Sequence, residues 1–219
     1  MALRVQIFLA ILRELSNLRP YGLKRMKGNI TKQRIVSQSL ALFNKFGVRG
    51  TSISDLMAAT KLEKGGIYRH FESKDQILES ALRFYIASVE SRLAKATEGL
   101  TSPRKRLIEI VKSFASIAEN PVVPGGCFIM NIAVDTDHEE NGPHPLVVLS
   151  FKRWERLFVS EIQNGIKQGE FRDDVDAKSF AAIAICSIEG SIVLASTYPG
   201  LKSSQVIVRH LLGLIASFS

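Results

Sequence analysis

The chain has 219 residues, enough for one large or two small domains with a sizeable core. Hydrophobic residues make up 46% and charged residues 23%, a balance that excludes a disordered or fibrous polymer. The net charge of +8 is uneven. Residues 1–26 carry five basic and one acidic side chain, residues 27–75 nine and four, and the remainder fifteen and sixteen. The excess positive charge therefore sits in the first third, as a phosphate-binding surface requires. Cys127 and Cys186 lie far apart with no paired-ligand spacing, so no disulfide framework is expected and a reducing, cytoplasmic setting is.

Residues 1–26 open with a short apolar run, Val5–Leu12, behind Arg4. Arg13-Glu14 interrupt it, no small-residue cleavage site follows, and it is too short to span a bilayer. This stretch is expected to be an N-terminal extension outside the working protein, which would begin at Met26-Lys27. A short amphipathic helix docked on the body is the alternative. From Thr31 to Phe46 the spacing predicts a helix, capped by Thr31 and ended by Gly47. Its stripe is Ile35, Leu40, Ala41, Leu42 and Phe46, with Lys32 and Arg34 near phosphates.

The stretch Gly50–Asp75, GTSISDLMAATKLEKGGIYRHFESKD, carries most of the function. Thr51-Ser52 suit a helix cap, and Ile53, Leu56 and Met57 repeat at i, i+3, i+4. A brief turn, Thr60-Lys61-Leu62, leads to a second short helix with Ile67 and Phe71 inward. Two short helices on so small a turn predict helix-turn-helix packing. Lys64-Gly65-Gly66 places small residues where a backbone approaches a partner closely. Tyr68, Arg69 and His70 leave the core face, and Lys74 opens the next helix. Such donors suit phosphates and base edges in a major groove.

The run KGGIYRHFESKD, with Thr-Ser-Ile-Ser-Asp-Leu upstream, resembles the recognition-helix signature of TetR-family transcriptional regulators. The motif spans residues 30–78. The resemblance implies an all-α dimer: an N-terminal three-helix helix-turn-helix DNA-binding head (27–75) on a larger helical effector-binding and dimerisation domain (76–219). It assigns DNA contact to Thr51, Ser52, Lys64, Gly65, Tyr68, His70 and Lys74, joined by Gly66 and Arg69 from the same helix. Gly66 stands where the family often has Thr or Ser, so one base contact is missing.

Ser73-Lys74-Asp75-Gln76 predicts a capping box opening a long helix toward Glu98, with Ile77, Leu78, Leu82, Tyr85, Ile86, Val89 and Leu93 buried. Thr101-Ser102-Pro103 starts the next, with Leu107, Ile110, Val111 and Phe114 inward, ending near Asn120-Pro121. Gly125-Gly126 then precede an apolar helix beginning at Cys127. A thiol at a helix N-terminus has a lowered pKa and reacts with oxidants or electrophiles; the plainer reading is a small buried hydrophobe. Asp135–His144 gathers carboxylates and two histidines but lacks HExxH spacing, so a solvated acidic loop is expected, not a metal site. No catalytic triad order, phosphate loop or dinucleotide fingerprint is present, so neither an enzyme nor a bound cofactor is expected.

From Pro145 to Gln168 a helix carries Val147, Phe151, Trp154, Phe158 and Ile162 on one face. By family analogy the candidate ligand-binding residues are Phe114, Cys127, Phe128, Met130, Asn131, Trp154, Phe158 and Glu189. Asp176 caps a nearly all-apolar helix, 177–197, which Glu189 and several serines make a poor membrane span. It and the last helix, 203–218, are expected to meet their symmetry mates in a four-helix interface. The expected function is a ligand-responsive regulator, a repressor, that binds a palindromic operator as a homodimer and is released by a small-molecule effector. The rivals are a redox or electrophile sensor switched by Cys127, and a small-molecule-binding protein or enzyme whose head does not read DNA.

Overall fold

The computed structural model describes residues 27–137 and 144–219. The expectation for residues 1–26 and the carboxylates and histidine at 138–143 lie outside the described residues. Among the described residues nine α-helices follow in chain order: α1 (Lys27–Phe46), α2 (Ile53–Thr60), α3 (Lys64–Tyr68), α4 (Lys74–Ala96), α5 (Pro103–Ala115), α6 (Phe128–Thr136), α7 (Pro145–Lys167), α8 (Ala177–Thr197) and α9 (Ser203–Ala216). Single 3-10 turns at Ser116–Ala118 and Pro199–Leu201 complete the described elements.

Local chemistry starts these helices where the sequence places it. Ser52 caps α2 in a full capping box: its hydroxyl accepts from Asp55 N, and the Asp55 carboxylate accepts from Ser52 N. Ser73 caps α4 by accepting from Gln76 N, while the Gln76 amide oxygen accepts from Glu72 N. Ser102 caps α5 with Pro103 in the first turn, and Asp176 caps α8. α1 departs from expectation. It begins at Lys27, so Thr31 lies inside it instead of capping it. Its buried stripe is Ile35, Val36, Leu40 and Phe43, while Phe46 is 53% exposed, with the Lys45 ammonium over its ring. The apolar residues of this helix fit two phases, and burial follows the 35/36, 40, 43 phase.

α1–α3 form the head, with α1 packed on α2 and on the start of the long helix α4. α4 also contacts α5, α6 and α7, so one rigid element serves both head and body. In the body α5, α7, α8 and α9 pack around edge-to-face rings: Phe114–Trp154, Phe158–Phe180 and Phe180–Phe218. α8 is long and apolar enough to cross a membrane by length and composition. It packs against α5, α7 and α9, with Phe180, Ala181, Ala184, Ile188 and Ile192 buried. Its other side, and that of α9, stays open: Ile183, Val193, Leu194 and Val206 are exposed large hydrophobics.

Candidate nucleic-acid interface and effector site

The head turns one short helix almost wholly outward. α2 ends at Lys61, whose left-handed backbone (φ 54°) swings the chain into α3. α3 has five residues and buries only Ile67, while Phe71 follows into the core. Lys64, Gly65, Tyr68 and Arg69 are exposed, Gly66 and His70 half-buried. The Lys64 ammonium lies 5.9 Å from the Tyr68 ring centroid, at the outer limit of a cation–π contact. A Cβ on Gly65 would meet nothing within 4 Å, and one on Gly66 only Leu62 at 3.5 Å. Nothing inside the protein demands glycine at either place, so the small surface serves whatever approaches from outside.

Two residues expected at the DNA surface are turned inward. Thr51 is 1% exposed, with its hydroxyl donating to Gly47 O at 2.7 Å. The Lys74 ammonium donates to Val48 O at 2.7 Å and Thr51 O at 3.1 Å. Both stitch the α1–α2 turn, whose carbonyls have no helical partners and must be met by side chains. Ser52 remains exposed.

A polar seam joins head to body across α1 and α6. The Asn131 amide donates to Asn44 Oδ1 and to Gly125 O, both at 2.8 Å, and the Asn44 amide donates to Pro124 O at 2.9 Å. Val48 N donates to Asp135 Oδ2 at 2.7 Å. Gly47 (φ 75°) lies so close that a Cβ there would sit 2.9 Å from Asp135 Oδ1; at Gly125 (φ 111°) it would sit 2.8 Å from the Asn44 amide nitrogen. Both glycines are required twice over, by positive φ and by contact. Asp135 is thus an acceptor for the head within α6, not a residue of a solvated loop. Asn131, expected at the ligand, is held in this seam and is not among the residues that line the body cavity.

Deeper in the body a small cavity of about 10 Å3 is lined by Phe114, Trp154, Phe158, Ile185, Ile188 and Glu189. Four of the eight expected ligand residues line it: Phe114, Trp154, Phe158 and Glu189. Phe128 packs edge-on against Tyr85 at 5.6 Å, and neither it nor the half-buried Met130 reaches the cavity lining. Cys127 is buried beside Glu189 and Tyr85. Its thiol pKa is pushed well up, first by burial and then by the Glu189 charge. This is the reverse of the lowering expected at a helix start, because desolvation outweighs the N-terminal dipole. Burial likewise raises the Glu189 carboxyl to about 7, against a smaller lowering by the Cys127 hydrogen bond. The Tyr85 hydroxyl is raised by burial and by its neighbours Cys127 and Glu189. Tyr85 Oη and Glu189 Oε2 have no hydrogen-bond partner among the described residues.

Residues 35–81 match the family model for bacterial regulatory proteins of the tetR family, and residues 103–211 match that for the tetracyclin repressor-like C-terminal domain. The crystal structure of a TetR transcriptional regulator from Chloroflexus aurantiacus J-10-FL is 38% identical, covers 87% of this chain and 96% of its own, and superposes with a TM-score of 0.80. The chain belongs to the TetR family of transcriptional regulators. A TetR-family regulator from Cytophaga hutchinsonii is 27% identical over 90% of this chain and 98% of its own, with a TM-score of 0.76. The transcriptional repressor DhaR from Mycobacterium sp. strain GP1 is 26% identical over 162 residues, 74% of this chain and 80% of that protein.

As a TetR-family member the chain is a DNA-binding transcriptional regulator. Sequence reasoning missed four residues in its sites. Asn44, Tyr85 and the cavity-lining Ile185 and Ile188 were unassigned or taken as plain core. Only Tyr85 carried a signal: a phenol on a fully apolar helix face needs a partner.

Proposed function

We propose that this protein is a ligand-responsive repressor that binds a near-palindromic operator as a homodimer in the cytoplasm. Its DNA head is residues 27–75 and its effector and dimerisation domain residues 76–219. The observation that carries the reading is α3: one residue buried, and Lys64, Tyr68 and Arg69 exposed around glycines that no internal contact requires. Ser52, Lys64, Gly65, Gly66, Tyr68, Arg69 and His70 are the proposed DNA contacts. The exposed apolar faces of α8 and α9 support pairing of two copies through 177–197 and 203–218. Water-facing Ile183, Val193, Leu194 and Val206 on adjacent helices form an apolar surface that a two-fold mate would cover. The proposed effector enters at the Phe114, Trp154, Phe158, Glu189 cavity, and its binding disfavours the operator-bound spacing of the heads, roughly 34 Å.

Selection of bound sequences from random duplex DNA at physiological salt tests this reading. A two-fold-symmetric consensus is expected. Weak, sequence-independent binding that vanishes as salt rises would remove the repressor reading and leave a binding protein or enzyme with a non-reading head. Reversible ligand binding is preferred to thiol chemistry because Cys127 is 2% exposed with a raised pKa. Loss of an oxidant or electrophile response in Cys127→Ser would reverse that preference.

A further inference from the structure

Two carboxylates of the body are buried among the described residues, Glu161 and Glu189. Glu161 on α7 meets Arg106 at 2.9 Å. Glu189, 4% exposed on α8, has among the described residues only the Cys127 thiol and the Tyr85 hydroxyl as polar neighbours. Its Oε2 has no hydrogen-bond partner among the described residues, and the residue lines a cavity that Phe114, Trp154 and Phe158 also line. A buried charge without a counter-ion is costly, and the groups that would relieve it here must come from outside the chain.

We propose that the effector is a protonated organic amine with a compact apolar body, whose ammonium N–H donates to Glu189 Oε2 while Phe114, Trp154 and Phe158 enclose the remainder. This rests on the reading of the cavity as the effector site. The ammonium supplies the missing counter-charge, and the rings add the attraction of their negative faces for a cation. An acid is excluded by the same geometry, since no cationic side chain lines the cavity and a second carboxylate would face Glu189. A neutral alcohol fills one hydrogen bond and leaves the charge unmatched. At about 10 Å3 the cavity has room for roughly one water, so an amine enters by parting its walls. Ile185 and Ile188 lie on the same stretch of α8 as Glu189. Their displacement shifts the helix whose outer face is offered to the second copy, and binding is thereby tied to dimer geometry.

The test uses three molecules with one body: cyclohexylmethylamine, cyclohexylmethanol and cyclohexanecarboxylate. Calorimetry at pH 7.5 on the full chain, its Glu189→Gln variant and an Ile188→Phe variant that fills the cavity reads affinity. Release of a selected operator duplex reads the response. The amine is expected to bind wild type at least about tenfold more tightly than the alcohol, with no measurable acid binding. Glu189→Gln should bring amine to the level of alcohol, and Ile188→Phe should abolish both. On unaltered protein, amine affinity should rise as pH rises through about 7, where Glu189 ionises while Cys127 and Tyr85 stay neutral, and alcohol affinity should not. Equal or tighter binding of alcohol or acid, lost in Ile188→Phe and coupled to operator release, overturns the amine class and leaves the cavity as the effector site. Amine binding that survives both substitutions, or the binding of none of the three, overturns the amine inference together with the assignment of this cavity.

Discussion

Glu161 and Glu189 sit on neighbouring helices of one body, each at most 5% exposed, and their surroundings are opposite. Glu161 has an arginine of its own chain at 2.9 Å. Glu189 has a thiol, a phenol and an apolar wall. Arg106 also reaches the Thr97 carbonyl, so the Glu161 pair closes the junction of α4, α5 and α7 and is complete without any partner. The Glu189 site is complete only with something added. A buried charge that the chain neutralises itself is architecture, and one that it leaves open marks a place for a ligand.

Breaking the complete pair should have the largest effect. Arg106→Leu leaves Glu161 buried without its cation and is expected to cost about 4 kcal/mol in denaturant unfolding. Arg106→Leu combined with Glu161→Leu should recover most of that loss. If the single variant is as stable as wild type, the pair is not what holds the junction and the contrast fails.

The open site should behave in the reverse way. Glu189 has a folded pKa of about 7 against an ordinary value of 4.5, so the folded state binds its proton more tightly than the unfolded chain. Its contribution is therefore full below about 4.5 and is lost as pH rises through about 7. At 1.36 kcal/mol per unit this amounts to on the order of 3 kcal/mol. Glu189→Leu should thus be more stable than wild type at pH 8, with the advantage shrinking steadily toward pH 4.5. Subtracting the two profiles removes the acid-destabilising carboxylates, such as Asp55 and Asp176, whose pKa values are lowered. A difference that does not vary with pH would mean that Glu189 is already matched.

The seam between head and body offers a smaller test of how far the two regions communicate. α6 begins at Cys127, against Glu189, and near its other end Asp135 receives Val48 N of the head. Asp135→Ala removes the acceptor of that half-buried donor and is expected to cost about 2 kcal/mol. If α6 carries the coupling, the variant should also narrow the gap between operator affinities with and without effector. Loss of stability with an unchanged gap would place the coupling elsewhere, in α4.

How much of this was legible follows from how local each signal is. The caps at Ser52, Ser73, Ser102 and Asp176 were, because a cap is written within four residues. The outward Lys64–Tyr68 face was, because a five-residue helix with one apolar position has one way to sit. The phase of α1 was not: Phe43 and Phe46 are both apolar, and only the packing of α2 and α4 chooses between them. The partners of Asn131 and Asp135 were not legible because they lie 87 residues away. Of the two readings of Cys127 the buried one holds, and only its neighbour Glu189, distant in the chain, was not visible. Phe114, Trp154, Phe158 and Glu189 were gathered by resemblance, since no spacing brings three helices to one cavity.

The contrast between complete and open charges extends to the head, where it bears on DNA. Lys74 spends its ammonium on Val48 O and Thr51 O, whereas Lys64 is exposed with its ammonium 5.9 Å from the Tyr68 ring. A lysine committed to two carbonyls loses them on moving to a phosphate, so it adds little to counter-ion release. An exposed one contributes close to a full charge. Lys64→Ala should therefore leave unfolding within about 0.5 kcal/mol of wild type and reduce the slope of log K against log salt by about 1. Lys74→Ala should do the opposite, costing about 1–2 kcal/mol in stability with the slope nearly unchanged. Equal slopes for the two variants would show that Lys74 leaves its carbonyls on binding, and the head would then be an element that rearranges at the operator instead of arriving already formed.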